Sequence, residues 1–365
     1  MLSLGAIKTL LDNLRSDGRT VIAPVLDNDT IGLAEVEALD DLPSGWTEIQ
    51  DGGTYRLERL ERPELFGHAT PAMSWKKWLY PNRTLLARAS RDNGSVTIEE
   101  PLLEADPTAF FGIRSCDVHS LGILDRVFLD PIDPTYAAAR DNLFVVAAAC
   151  ARPGGTCFCA SMNTGPAPTD GFDIALTEIC TDDRHEFLAE AGTQHGREQL
   201  DRLNGREASD ADLTAIELIV SEATGSMGRF LDPSHTRAAA GQYEHPHWDI
   251  VAGRCLACAN CTMVCPTCFC STTEDTTNLD GSVAERWRTW DSCFTLGFSL
   301  LAGAPLRNSV KSRYRQWLLH KLVTWHDQFG TSGCVGCGRC ITWCPVGIDL
   351  TSEIAAVAQD SGGLS

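Results

Sequence analysis

The spacing of apolar positions divides the chain into helical and extended segments. Near the start, apolar residues recur every three or four positions, at Leu4, Ile7, Leu10, Leu11 and Leu14. This period predicts an amphipathic helix packed on the first domain. Residues 20–26 (TVIAPVL) predict a buried strand, followed by a turn at residues 27–29. Residues 84–89 and 95–99 predict a β-hairpin.

Residues 109–179 have the pattern of a parallel α/β unit. FFGIR (110–114) predicts a strand that ends just before Cys116, and residues 117–129 (DVHSLGILDRVFL) predict a helix with one apolar face. NLFVVAAA (142–149) is a second strand without alternation, and GFDIALT (171–177) is a third candidate. Apolar strands joined by a helix favour a parallel sheet that is covered on both faces.

The remainder of the chain predicts helices and connecting segments. Residues 184–220 are charged, with helical periodicity and little strand character, and residues 282–329 predict two or more helices with almost no strand signal. The predicted organisation is an α/β (α+β) N-terminal region followed by a C-terminal α-helical ferredoxin domain with two [4Fe-4S] clusters. Its parts are a mixed region 1–100, an α/β domain 101–237, a linker 238–249, a ferredoxin domain 250–358 and a disordered tail 359–365.

Composition narrows the class of protein. The chain has 365 residues, 16 cysteines and a net charge of −19. The acidic balance argues against nucleic-acid binding, which needs a basic surface. The N-terminus lacks the features of a secretory signal, and the longest apolar runs are too short for a membrane span. We therefore expect a cytoplasmic protein whose clustered cysteines bind metal rather than form disulfides.

The pattern C-x2-C-x2-C-x3-C-P occurs twice, from Cys255 to Pro266 and from Cys334 to Pro345. This spacing is typical of bacterial ferredoxins, in which the fourth cysteine of each run ligates the other cluster. One [4Fe-4S] cluster is thus expected at Cys255, Cys258, Cys261 and Cys344, and the other at Cys334, Cys337, Cys340 and Cys265. Structural zinc is the alternative, but it usually shows two CxxC pairs. The 68 residues between Cys265 and Cys334 are too many for a small ferredoxin.

A third group of cysteines follows the predicted parallel strands. Cys116 and Cys150 each come just after a strand, where the carboxyl ends of a parallel sheet form a crevice. The CFC tripeptide at Cys157 and Cys159 follows closely. These four residues are candidates for a third [4Fe-4S] cluster. The alternative is that they are buried thiols that pack as small apolar side chains.

A second CFC tripeptide, Cys268 to Cys270, follows the first ferredoxin motif. We expect these two cysteines to pack against the cluster loop or a domain interface, with ligation of a further centre or a redox dithiol as alternatives. Cys180 and Cys293 are expected to be structural. The basic residues Arg307, Lys311, Arg313, Arg315 and Lys321 are expected to form a solvated helix face, rather than to offset cluster charge or dock an acidic partner. No dinucleotide, P-loop, zincin or hydrolase motif is visible, so no catalytic residues are predicted.

Several stretches together resemble one family closely: FFGIRSCDVHSLGILDRVF, CFCASMNTGP, CTMVCPTCFC, WDSCF, RYRQWLLHKL and CVGCGRCITWCPVGIDL. The family is that of the beta subunits of cytoplasmic sulfhydrogenase-type (group 3b) [NiFe] hydrogenases, to which the A subunit of anaerobic sulfite reductase is related. The resemblance spans nearly the whole chain and includes GGTYRL and SWKKWL in the first domain.

The resemblance implies an iron–sulfur subunit of a hetero-oligomeric oxidoreductase complex, without enzyme activity of its own. Its partners would be a flavin subunit that handles NAD(P)H and the small subunit of the [NiFe] hydrogenase. Two other functions are compatible with the sequence, namely the same electron-transfer role in an anaerobic sulfite reductase and a free-standing ferredoxin-like carrier. NAD or NADP preference, reduction potentials and electron direction do not follow from the sequence.

Overall fold

The computed structural model describes residues 1–92, 94–101 and 105–359. The predicted tail therefore lies outside the described residues, except for Gln359, which ends a helix. The strands are β1 (Leu2–Ser3), β2 (Thr20–Asp27), β3 (Thr30–Glu35), β4 (Trp46–Asp51), β5 (Thr54–Arg59), β6 (Arg83–Asp92), β7 (Ser95–Glu99), β8 (Thr108–Arg114), β9 (Leu143–Ala148), β10 (Ile174–Cys180), β11 (His185–Ala191), β12 (Ser271–Thr277), β13 (Val283–Trp290), β14 (Leu300–Leu301) and β15 (Ala304–Pro305).

Most helices are short. They are α1 (Leu4–Ser16), α2 (Lys76–Leu79), α3 (Ser115–Phe128), α4 (Pro134–Asp141), α5 (Gln194–Leu200), α6 (Asp210–Gly225), α7 (Pro233–Ala239), α8 (His247–Arg254), α9 (Asn260–Met263), α10 (Val310–Leu319), α11 (Trp325–Phe329), α12 (Arg339–Thr342) and α13 (Leu350–Gln359). A π-helical segment, His320–Thr324, joins α10 to α11. None of the helices in the described residues is long and apolar enough to cross a membrane.

A seven-stranded sheet forms the centre of the N-terminal region, in the order β1-β11-β10-β9-β8-β2-β3. The four central strands are parallel, which confirms the predicted parallel unit, and β11 and β3 pair antiparallel at its two sides. The predicted N-terminal helix is α1. Ser3 caps it by accepting from the Ala6 N–H, and Ile7, Leu10, Leu11 and Leu14 are completely buried against the sheet.

Strand β11 contradicts the expectation that residues 184–220 have little strand character. Its alternating sequence, HEFLAEA, contains enough charge to resemble a solvated helix. The pairing with β10 decides its conformation, because Phe187 then lies in the core at the sheet's inner face. The helices expected in this region are confirmed as α5 and α6.

A four-stranded antiparallel sheet joins a segment of the N-terminal region to one of the C-terminal region, in the order β12-β13-β6-β7. The predicted hairpin is therefore present as β6 and β7. Strand β13 contradicts the purely helical expectation for residues 282–329, in which α10 and α11 lie only from Val310 onward. Cross-strand pairs stabilise it: Asp275 lies opposite Arg286 with an Nε–O distance of 2.7 Å, and the Arg83 guanidinium lies 3.9 Å from the Trp287 ring centre.

The C-terminal region is consequently mixed rather than wholly helical. Its core is formed by α8, α10 and α13, with Trp248, Leu318 and Ile354 completely buried. The predicted linker 238–249 is a short irregular segment, since α7 ends at Ala239 and α8 begins at His247. The domain boundaries stay a prediction, and the shared sheet makes residues 83–99 and 271–290 one hydrogen-bonded unit.

Candidate iron–sulfur sites

The two ferredoxin motifs fold into the same tight loop. In the first, Ala257 and Ala259 have positive φ values of 50° and 66°. At the same positions in the second, Gly336 and Gly338 have values of 66° and 76°. The left-handed backbone turns the chain back on itself, so that a backbone N–H points at the first thiol of each run. The Ala257 N–H donates to Cys255 Sγ at 3.4 Å, and the Gly336 N–H donates to Cys334 Sγ at 3.5 Å.

The first group of thiols surrounds an apolar cavity. The cavity is lined by Cys255, Cys258, Cys261, Cys344 and Cys340 together with Phe294, Tyr314, Trp317 and Leu350. Cys344 comes from the second motif, 83 residues beyond Cys261 in the chain. Burial, followed by the neighbouring thiols Cys255 and Cys344, raises the pKa of Cys261. Four soft ligands in a water-poor cavity are the donor set that an iron–sulfur cluster takes.

The second group is buried more deeply. Cys265, Cys334 and Cys337 are buried, and all three act electrostatically on Cys340, whose pKa is raised by burial first and by these thiols next. Cys265 comes from the first motif. Each group therefore lies near one thiol of the other motif, Cys344 at the first and Cys265 at the second. The assignment of four ligands to each cluster stays a prediction. Of the sixteen cysteines, all of which lie in the described part of the chain, Cys258 alone is exposed.

Lys321 supplies a buried positive charge to the second group. Its Nζ lies 3.3 Å from Cys265 Sγ and donates to Thr267 Oγ1 and to the Gly333 carbonyl, each at 2.9 Å. Burial lowers the pKa of Lys321, but Cys265, Cys268 and Cys334 outweigh it and raise the pKa overall. The expectation of a solvated basic face is therefore wrong for Lys321, and also for Arg313, which is buried.

The four cysteines of the third group also lie close to one another. Strands β8 and β9 are neighbours, with Arg114 opposite Ala148, so Cys116 and Cys150 emerge at the same edge of the sheet. Burial raises the pKa of Cys157, and Cys159, Cys150 and Cys337 add to the shift. All four predicted residues are buried.

Cys337 of the second motif lies beside this third group, which the sequence did not indicate. Cys157 Sγ is 3.7 Å from the Cys337 carbonyl. The glycines of the second motif explain the close approach: a Cβ on Gly336 would lie 2.7 Å from Cys159 Cα, and one on Gly338 would lie 2.5 Å from the Thr156 carbonyl. The upstream CFC loop is thus packed directly on the second ferredoxin loop.

Two buried arginines flank the third group. Arg114 donates to the backbone carbonyls of Phe66, His68, Ala69 and Ala149. Arg339 makes a bidentate ion pair with Asp117, both Nη–O distances being 2.7 Å. Asp117 follows Cys116, and Arg339 lies between Cys337 and Cys340, so this buried pair ties the α/β sheet to the second ferredoxin loop.

The remaining cysteines lie at two places. Cys268, Cys270 and Cys293 line one cavity with Lys321 and His320. Cys180 lies with Glu178 and His185 within metal-ligand range. Glu178, however, already accepts from the N–H groups of Leu65 and Phe66 and contacts His185 Nε2 at 2.7 Å. Its oxygens therefore hold the loop before α2 in place, and the structural role expected for Cys180 stays a prediction.

Comparison with known proteins shows which family the chain is similar to. A family model described as a 4Fe-4S dicluster domain matches residues 254–348, which include both ferredoxin motifs. The beta subunit of sulfhydrogenase 2 from Pyrococcus furiosus is 34% identical over 329 residues, covering 85% of this chain and 91% of the relative. The chain belongs to the sulfhydrogenase beta-subunit family. No solved structure matches it.

Membership of the sulfhydrogenase beta-subunit family bears on most of the chain and not only on the dicluster domain. The aligned length exceeds the 254–348 match more than threefold, so it includes much of the α/β region. A small ferredoxin resembles only the two motifs. The zinc alternative loses its support, because the dicluster model describes iron–sulfur ligation.

Proposed function

We propose that this chain is the iron–sulfur electron-transfer subunit of a soluble [NiFe] hydrogenase complex. In this proposal it relays electrons between a flavoprotein that binds NAD(P)H and the small subunit of the hydrogenase. The family and the dicluster match support the electron-transfer role. The observation that carries the proposal is the arrangement of eight ferredoxin-type thiols in two adjacent groups, each of which lies near a cysteine of the other motif.

One [4Fe-4S] cluster would be held by Cys255, Cys258, Cys261 and Cys344, and the second by Cys334, Cys337, Cys340 and Cys265. When bound, each cluster supplies a site that accepts and releases one electron. The protein's part is to exclude water with Phe294, Tyr314 and Trp317 at the first site, and to place the Lys321 charge at the second. Burial and local charge are two of the factors that set a cluster's potential.

A third [4Fe-4S] cluster would be held by Cys116, Cys150, Cys157 and Cys159. Four buried thiols with raised pKa values are unfavourable as isolated thiolates, whereas metal ligation deprotonates them without that cost. The positive charge of Arg114 beside Cys150 suits an anionic group at this position. The third site would then adjoin the second at Cys337, and the second would adjoin the first, which includes the exposed Cys258.

The test is iron and acid-labile sulfide per chain in anaerobically purified protein, repeated on the Cys157→Ser/Cys159→Ser double variant. We expect about twelve irons, falling to about eight in the variant, because each [4Fe-4S] cluster contains four. About eight irons in both proteins would confine the clusters to the ferredoxin motifs. Iron well below eight, or equimolar zinc, would overturn the dicluster assignment itself.

The partner assignment has a separate test. Affinity purification of the full chain from its native cells should recover a flavoprotein and a hydrogenase pair. A sirohaem protein in their place would favour the sulfite reductase alternative. Recovery of the chain alone, monomeric and soluble, would favour a free-standing carrier.

A further inference from the structure

Two thiols outside the cluster sites are in contact with each other. Cys270 directly precedes β12 and Cys293 follows β13, and the hairpin register, with Ser271 opposite Trp290, brings them together. The Asp291 N–H donates to the Cys270 carbonyl at 2.9 Å, which fixes the two chain segments side by side. The Cys293 thiol and its backbone N–H both hydrogen-bond to the Cys270 thiol.

This pair is held between the two ferredoxin motifs. Ser292, which is completely buried, has its Oγ 2.8 Å from Thr262 Oγ1, next to Cys261 of the first motif. On the other side, the Cys268 thiol hydrogen-bonds to Cys265, a predicted ligand of the second site. The pair therefore lies within reach of both sites without belonging to either set of four.

The backbone of the second CFC tripeptide is fixed independently of the thiols. Lys76 Nζ donates to the Cys268 carbonyl at 2.7 Å, and the Tyr80 hydroxyl donates to the Phe269 carbonyl at 3.2 Å. The Phe269 ring packs edge-on against Phe128 and Trp325. Substitution of Cys270 or Cys293 by serine should therefore leave the loop in place.

The pair lines a cavity that a small molecule can enter. The cavity, of about 520 Å³, is lined by Cys268, Cys270 and Cys293 and by the polar side chains of Arg307, Gln316, His320, Lys321 and Gln328. Two thiols in contact at the wall of an open cavity are accessible to a disulfide substrate, unlike thiols in a packed core. The basic side chains at the wall favour an anionic molecule.

We propose that Cys270 and Cys293 form a redox-active dithiol that reduces small anionic disulfides bound in this cavity. Cys270 attacks one sulfur of the substrate, forms a mixed disulfide and releases one thiolate. Cys293 then attacks Cys270 Sγ, which releases the second thiol and leaves a Cys270–Cys293 disulfide. Two electrons, which the two proposed ferredoxin-type clusters would supply one each, and two protons would restore the dithiol. This last step rests on the proposed function, whereas the exchange steps do not.

The two thiols differ in pKa in the direction that these roles require. Hydrogen bonding from Cys293, which outweighs burial, lowers the pKa of Cys270 to about 7, and the same contact raises the pKa of Cys293. A substantial fraction of Cys270 is then thiolate near neutral pH, the form that attacks disulfides. The wall thus offers one nucleophilic sulfur and one protonated resolving thiol.

The first experiment uses the anaerobically purified full chain with its clusters and one equivalent of 5,5′-dithiobis(2-nitrobenzoate), an anionic disulfide that releases a coloured thiolate. We expect two thiolates released per chain and a Cys270–Cys293 disulfide in a non-reducing peptide map. Cys293→Ser should stop after one, with the probe attached to Cys270, and Cys270→Ser should release at least tenfold less in the same time. Cys180→Ser, which changes a cysteine outside the cavity, is the matched control and should behave as wild type.

Two results would overturn the dithiol. One is that Cys270 and Cys293 stay free and alkylatable after the probe has reacted elsewhere. The other is that Cys270→Ser or Cys293→Ser loses about four irons, which would make these residues cluster ligands.

The second experiment tests regeneration in the oxidised chain. On photoreduction, the disulfide should return to two alkylatable thiols, and the visible absorbance of two bleached clusters should recover for each disulfide reduced. Clusters that stay bleached beside a persistent disulfide would overturn the electron supply while leaving the proposed relay intact. Absence of any bleachable cluster, with the exchange reaction unchanged, would instead overturn the proposed function.

Discussion

The role of Lys321 depends on the groups that surround its side chain. In the sequence it is one of several basic residues in a helical segment. In the structure it is buried, and its ammonium contacts Cys265 Sγ and donates to Thr267 and Gly333. A cation at this position stabilises the more negative, reduced state of an iron–sulfur cluster. It is therefore expected to raise the reduction potential of the second site.

Replacing this charge should lower that potential. For Lys321→Met we expect a decrease of roughly 50 to 150 mV, from the Coulomb energy of a partly screened charge and the one-electron conversion. Potentiometric titration followed by electron paramagnetic resonance measures it. Lys311→Met, which removes a lysine paired with Asp249, is the control and should shift neither cluster by more than a few tens of mV. An equal shift in both variants would contradict the local role of Lys321.

Glu48 is a second single residue with an expected effect, because it makes the free energy of unfolding depend on pH. Burial, only partly offset by the Ala69 N–H and other groups, raises its pKa to about 7. Because this pKa lies above that of the unfolded chain, Glu48 stabilises the fold at low pH and loses that contribution as the pH rises through 7. Between pH 5.5 and 8 the wild type should lose about 2 kcal/mol of unfolding free energy relative to Glu48→Gln.

Urea unfolding of both proteins across this pH range makes the measurement. Glu58→Gln on β5, where the side chain is exposed, is the control and should follow the wild-type profile. A Glu48→Gln variant that ran parallel to the wild type at every pH would show that Glu48 is ionised throughout.

At the scale of elements, the sequence predicted those that its own local pattern determines. Strands β8 and β9 are continuously apolar, α1 repeats at a helical period, and both were found where expected. Strands β11 and β13 carry many charges and depend on partners that are distant in the chain. Their strand conformation comes from pairing with β10 and β6, which no local window contains.

The contact of α3 with α12 yields a stability prediction. The Asp117–Arg339 pair is about 1% exposed or less at both residues. Asp117→Asn leaves a buried guanidinium without its partner and should lower the free energy of unfolding by about 3–5 kcal/mol. Asp182→Asn, which breaks an exposed pair with Arg62, should cost about 1 kcal/mol or less. Chemical unfolding under anaerobic conditions compares the two, and equal effects would mean that the buried pair is not a tie between the domains.

At the scale of the whole molecule, the two ferredoxin loops were predictable because the spacing of their cysteines is a covalent property of each loop. The approach of Cys337 to the upstream CFC and the contact of Cys270 with Cys293 were not. Each joins segments far apart in the chain, and each is fixed by packing, at Gly336 in one case and by the β12–β13 register in the other. The sequence of a CFC tripeptide does not indicate which loop it contacts in the folded chain.

The surface around Cys258 predicts where electrons leave or enter. Leu256, which is 62% exposed, lies between Cys255 and the exposed Cys258. An exposed apolar residue beside the most accessible site is suited to a partner's interface. Leu256→Asp should slow reoxidation of the reduced chain by its co-purified partners about tenfold or more, with iron content unchanged. Leu279→Asp, on the tip of the β12–β13 hairpin, is the control. Equal slowing by both variants would show that the surface around Leu256 is not the partner interface.

The four-stranded sheet has a consequence for synthesis of the chain on the ribosome. The β6–β7 hairpin leaves the ribosome without its partner, and β6 keeps an unpaired edge until Val283–Trp290 has been translated. At 5–20 residues per second this delay is about 10 to 40 s. During that time the nascent chain presents an edge that aggregates readily. A chain that terminates before this strand is therefore expected to be a substrate for chaperones rather than a partly functional carrier.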